Sequence, residues 1–192
     1  MKRAWFALAA LTALSGCLSM SGKAPPTLFS LGADNPAPAG TTATGQLSDA
    51  LIVIEPETDR RLAMLRVAVQ VDGSNVAYLK DAMWVERPAR LFRSLLAETL
   101  RARGGRLIFE SDQPMARSAP RISGRLVDMG YDARAMAVVV RFDAVRDNGS
   151  GLLATKRFEA VVPGIAATPA AVGPALNRAA NQVAAEVAAW LG

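Results

Sequence analysis

One cysteine and no histidine occur in the 192 residues of this chain, so its fold must hold without an internal disulfide or a histidine-ligated metal. The position of that cysteine tightens the constraint. Lys2 and Arg3 make a basic start, residues 4–14 run apolar with Thr12 as the single polar residue, and the small Ser15 and Gly16 lead into Cys17. A basic n-region, a short apolar run and small residues are the anatomy of a secretory signal. As a membrane helix the run is too short, since spanning takes about 20 apolar residues. A lone cysteine is often a small buried hydrophobe, but a place directly behind a signal does not suit that role. The segment after the signal must therefore be stabilised by its own core. Without residues 1–16 the chain keeps 176 residues, enough for one domain with a sizeable core.

Leu14-Ser15-Gly16-Cys17 resembles the bacterial lipobox, in which the cysteine thiol is acylated and the signal is cut just before it. The resemblance implies that Cys17 is the lipidated first residue of the mature protein. It also implies three acyl chains, where two already hold a protein stably at a membrane. The expected layout is a signal peptide over residues 1–16, a lipidated N-terminus with a short strand and flexible linker over 17–50, and a folded domain over 51–192.

Composition narrows the chemistry. Loss of Lys2 and Arg3 with the signal lowers the formal charge from +5 to +3. This mild, scattered excess lacks the basic stripe with interleaved aromatics of a nucleic-acid binder. Without histidine there is no Ser-His-Asp or Cys-His chemistry. No glycine-rich phosphate-binding pattern follows a strand. Carboxylates remain, so a carboxylate-pair hydrolase is formally open, but no spacing points to one. No cofactor is implied, and a non-catalytic role is expected.

Along the chain, residues 27–31 have strand character, while 33–49, rich in Pro, Gly, Ala and Thr, read as a mobile loop or linker. A β-branched strand follows at 51–54, and residues 57–62 suit a helical turn. Alternation over 64–71 sets Val67, Val69 and Val71 on one face, and Asp72-Gly73 turns the chain into a returning strand at 76–80. Pro88 suits a first helical turn. Leu91, Phe92, Leu95, Leu96 and Leu100 then fall on one helical face, with Arg90, Arg93, Glu98 and Arg101 on the other. Gly104-Gly105 ends the helix. A strand at 106–110 and a turn-rich loop at 111–120 follow. Three long strands come next, at 121–131 with Gly124 or Gly130 as bulge markers, at 136–146 and at 152–162. Thr168-Pro169 opens a last helix with an apolar stripe from Val172 to Leu191. The expected fold is α+β, a mostly antiparallel sheet with two main helices on one face. Trp84, just before the first long helix, is either a core residue or an interface anchor.

These features in order (the lipobox cysteine, the Phe29 and Leu31 strand, the 51–54 strand, the hairpin ending at Tyr78, Trp84, Ile122-Ser123-Gly124, the paired late strands and a terminal helix ending at Trp190-Leu191) resemble the auxiliary-lipoprotein family of ABC-type intermembrane transport systems. The resemblance covers nearly the whole mature chain. It implies a periplasm-facing outer-membrane lipoprotein. Its partners would be an MCE-domain protein, which forms a lipid conduit, and an inner-membrane ABC permease and ATPase. Leu18, after Cys17, is not the aspartate that favours inner-membrane retention. The competing expectation is a structural envelope lipoprotein that assists assembly of an outer-membrane barrel or binds the cell wall.

Overall fold

The computed structural model describes residues 27–110 and 119–192. Cys17 and most of the expected 111–120 loop lie outside the described residues. Among the described residues are eight strands and two long helices: β1 (Thr27–Phe29), β2 (Leu51–Val53), β3 (Arg66–Gln70), β4 (Val76–Trp84), α1 (Pro88–Arg103), β5 (Ile108–Glu110), β6 (Arg121–Asp132), β7 (Ala137–Asp147), β8 (Leu153–Pro163) and α2 (Pro169–Leu191). They form one sheet with both helices packed against it, the expected α+β class.

The long ladders are antiparallel and follow from local sequence. Val138, Val140, Phe142 and Ala144 alternate into the core along β7, as do Phe158 and Ala160 along β8, and each strand pairs with its neighbour over its full length. The short ladders are parallel. β6 is the spine: β7 occupies one edge, while the other is shared by β2 near Ile122 and β3 near Tyr131. Glu57 bridges the gap between them, accepting from the Leu126 amide and donating to the Gly124 carbonyl, both at 2.9 Å. β5 adds to β2 and β1 to β4, again in parallel.

Two glycines make the spine possible. An added Cβ at Gly124, where φ is +143°, would lie 2.0 Å from the Asp143 carbonyl oxygen, and at Gly130 it would lie 2.4 Å from that of Ala68. They serve close backbone approach and not the expected bulge. The register shift in β6 falls between Leu126 and Asp128. In β3 a second shift, between Arg66 and Ala68, breaks the expected alternation, so Val67 and Ala68 are both buried and Val71 is exposed. Met136, the first residue of the strand expected at 136–146, is instead exposed at positive φ in the β6–β7 turn.

In α1 the apolar face is the expected one, with Phe92, Leu95, Leu96 and Leu100 buried. Arg93 departs from expectation. It is buried beside Glu55 and Glu110, at 3.9 and 3.7 Å, where the carboxylates compensate its charge and the stem packs with apolar neighbours. Alanines along α2 let it lie close on the sheet and against α1. Gly173 sits under the ring of Phe29, where a Cβ would come within 3.0 Å of ring carbon.

Phe29 thereby locks β1 down, and the segment read as a mobile linker is tied at its start. The Gly32 amide donates to Asn177 Oδ1, the Asp34 amide to Asn181 Oδ1 and the Ala37 amide to Glu98, all at 2.9 Å. Asn181 is buried and also donates from Nδ2 to the Gly32 and Asn177 carbonyls. Replacing it removes three part-buried hydrogen bonds, to the Asp34 amide and to the Gly32 and Asn177 carbonyls, each worth about 0.5–1.5 kcal/mol net. Asn181→Ala is expected to destabilise by roughly 2 kcal/mol on that basis, with hydrogen exchange accelerated at Gly32 and Asp34 ahead of the sheet. Unchanged exchange there would show that the clip is not holding the segment.

Candidate functional site

The sheet face away from the helices is polar and carries a cleft of about 470 Å³ lined by residues of β3, β6 and β7 together with Arg61, Asp72 and Arg134. Arg61 sits at its centre, on the turn that crosses this face between β2 and β3. Its Nε donates to Asp59 at 3.0 Å, Nη1 to the Gln70 side chain at 2.9 Å, and Nη2 to Asp128 at 2.6 Å and to the Val127 carbonyl at 2.7 Å. The shift in β6 explains that last bond, because a bulge releases a backbone group from its ladder. Burial lowers the affinity of Arg61 for its proton, but hydrogen bonds and charge from Asp59 and Asp128 outweigh it and raise the pKa above the usual arginine value.

From Asp128 the chain of charges runs on through Arg141 to Glu159, each pair in direct contact. The next row is of opposite sign. Arg125, Asp143 and Arg157 are cross-strand neighbours, and Arg157 grips Asp143 with two hydrogen bonds of 2.6 Å. Opposite charges on adjacent strands support one another. The face is thus a checkerboard in register: minus, plus, minus beside plus, minus, plus.

The hydrogen bond from Arg157 holds the Asp143 carboxylate below its ordinary pKa. A carboxylate with a depressed folded pKa adds stability that is present above its unfolded pKa, near 4, and is lost as the pH falls through the folded value. Both partners are more than a third exposed, so solvent screening keeps the effect to about 0.5 kcal/mol. Asp143→Asn is expected to lower stability by that amount at pH 7 and to have no effect near pH 2, measured by urea unfolding. An equal loss at both pH values would remove the ion pair as the cause.

Of the residues singled out from sequence, Trp84 is placed and Cys17 is not. Trp84 is 1% exposed. Its ring meets Phe29 edge-on at 5.7 Å, and its Nε1 is buried without a hydrogen-bond partner. The side chain packs inside, the core alternative of the two, beside Phe29 on the neighbouring strand. Sequence reasoning missed the Arg61 cleft, since Asp59, Gln70 and Asp128 meet only through long-range pairing. The one local sign was Asp59-Arg60-Arg61 next to a strand.

Among the described residues, no group of histidine, cysteine and carboxylate side chains could hold a metal ion. None of the described helices is long and apolar enough to cross a membrane. In the cleft Arg61, Asp128 and Arg141 are engaged with one another, while Asp72 and Asp132 accept from backbone amides of their own turns.

The model of the ABC-type transport auxiliary lipoprotein component matches residues 29–188. The chain belongs to this family. That makes it a lipoprotein component auxiliary to an ABC-type transport system, as the sequence resemblance implied. Solved structures share the fold. A protein of Xanthomonas campestris superposes with a TM-score of 0.72 at 18% identity, covering 86% of this chain and 94% of its own. An uncharacterised protein superposes at 0.66 with 14% identity, covering 86% and 97% respectively. No curated protein sequence matches the chain.

Proposed function

We propose that this family member is a non-catalytic, periplasm-facing outer-membrane lipoprotein, tethered through acylated Cys17, that docks an MCE-domain lipid conduit served by an inner-membrane ABC permease and ATPase. The observation that supports it most is the family match from Phe29 to Ala188, which takes in every strand but the first residues of β1. The anchor rests on the Leu-Ser-Gly-Cys sequence, and delivery to the outer membrane on Leu18.

Geometry adds a direction. The β3–β4 hairpin and the β6–β7 turn lie at one end of the domain, since Gln70 is paired with Asp132. Thr27, where the tether enters, is level with Ala82 on β4, about 20 Å along the strand from Val76 at about 3.3 Å per residue. The cleft opens at that hairpin end, lined by Asp72, Gly73 and Arg134. Held by its tether, the domain can point this end away from the membrane and toward a partner.

Affinity purification from detergent-solubilised envelopes tests the reading. The native chain is expected to bring down an MCE-domain protein, and Cys17→Ser to lose both the acyl mass on the N-terminal peptide and membrane retention. Recovery of a barrel protein or cell-wall material in place of an MCE-domain protein would sink the docking role.

A further inference from the structure

β8 is an open edge. Among the described residues it pairs with β7 alone, over all 11 of its residues, whereas the opposite edges end in the three-residue strands β1 and β5. The phase of its hydrogen bonding is set at the turn, where the Asn148 amide donates to the Leu152 carbonyl at 3.3 Å. In an antiparallel pair, residues that exchange hydrogen bonds alternate with residues that do not. Even-numbered residues of β8 therefore bond to β7. Odd-numbered ones, from Leu153 through Thr155, Arg157, Glu159 and Val161 to Pro163, turn their backbone groups outward. Pro163, which has no N–H to leave unpaired, is the last of these.

We infer that β8 is the dimerisation edge of this protein, pairing antiparallel with β8 of a second copy about a two-fold axis through Phe158. The strand is self-complementary in that register alone. It brings Arg157 opposite Glu159 of the second copy and Glu159 opposite its Arg157, both among the outward-bonding residues. Two-fold axes through Arg157 or Glu159 set like charges against each other, which is destabilising for directly opposed residues. The same register overlaps the strand from end to end, Leu153 facing Pro163.

The checkerboard agrees. Across one copy the rows read Arg125, Asp143, Arg157 and Asp128, Arg141, Glu159. Through the axis the first row meets the second running backwards, so the signs go on alternating without a break into the second copy. Lys156, a residue type that commonly guards edges, lies over its own Phe158 ring at 4.9 Å and faces only the small Ala160 of the second copy. The interface is isologous, as a closed two-fold dimer requires, and joins the two sheets into one.

A pair of cysteines tests the register in the full-length chain in its own envelope. Thr155 and Val161 of one copy are about 20 Å apart at about 3.3 Å per residue, beyond the roughly 7 Å limit for a disulfide. Across the axis they are opposite one another. The doubly substituted Thr155→Cys, Val161→Cys chain is expected to run at twice its mass on a non-reducing gel after mild oxidation. Thr155→Cys alone, Val161→Cys alone and the Thr155→Cys, Glu159→Cys pair should stay at monomer mass, which also controls for Cys17. Val161→Pro removes an outward N–H and spares the β7 ladder. It should turn a dimer into a monomer by light scattering in detergent. A native chain monomeric at tens of micromolar, equal dimer from a single substitution, or capture of a different protein at position 155 would each overturn the proposal.

Discussion

Trp84→Ala should destabilise the domain by about 4 kcal/mol, the range for emptying a large aromatic site in a core. For a domain of this size that corresponds to a fall in Tm of roughly 8–16 °C. The ring is fully enclosed and meets the ring of Phe29 edge-on, and β1 depends on it because Phe29 is the only buried residue of that strand. Truncation should thus free β1 along with the cavity. The unpaired Nε1 yields a sharper companion. A buried donor without a partner costs about 1–3 kcal/mol, so Trp84→Phe, which removes volume and the orphan N–H together, should cost under about 1.5 kcal/mol by offset of the two terms. Thermal unfolding of both variants checks this. An interface anchor would behave oppositely, with Tm untouched in Trp84→Ala and partner binding lost.

The second large effect is expected at Gly124. A methyl group there would stand 2.0 Å from the Asp143 carbonyl oxygen and 3.1 Å from the Ala144 Cα, on a backbone with φ of +143°. Neither obstacle is the far end of a flexible side chain, so relief requires β6 and β7 to part. They are the spine and its full-length neighbour, and the checkerboard registers across them. Strained backbone at a non-glycine residue costs about 1–3 kcal/mol by itself, and separating the strands adds to it. Gly124→Ala is expected to lose about 4 kcal/mol, at the upper end for single substitutions, and to lower the protein's level in the envelope. Gly130→Ala, free of the positive φ but 2.4 Å from the Ala68 oxygen, should lose less. Equal, small losses at both sites would show that the strands can open at little cost.

Elements whose signals are local are legible in the amino-acid sequence. α1 shows itself by helical spacing between Pro88 and Gly104, β7 by strict alternation, and the β3–β4 hairpin by Asp72-Gly73. What the sequence hides is set by partners distant along the chain. Nothing local to residues 51–53 says that they slot between β5 and β6 in parallel. Arg93 looks like a solvent residue on its helix, and Glu55 and Glu110, brought by two other segments of the chain, help to make its burial tolerable. Asn177 and Asn181 read as ordinary polar positions until the chain after β1 is laid across them. The candidate site is hidden for the same reason. Asp59, Arg61, Asp128, Arg141 and Glu159 are scattered charges in sequence, and their order in space is a product of strand register.

Docking of an MCE-domain protein at the hairpin end is tested most directly by photocrosslinking in intact envelopes. Probes replace Asn75, Arg134 and Met136 around the mouth of the cleft, and Gln182 on the exposed side of α2 serves as the comparison. Efficient capture of an MCE-domain protein from the first three positions and not from Gln182 is expected. Capture from none of them, or capture of a barrel protein alone, would contradict the transport role and leave the lipid anchor to serve some other envelope task.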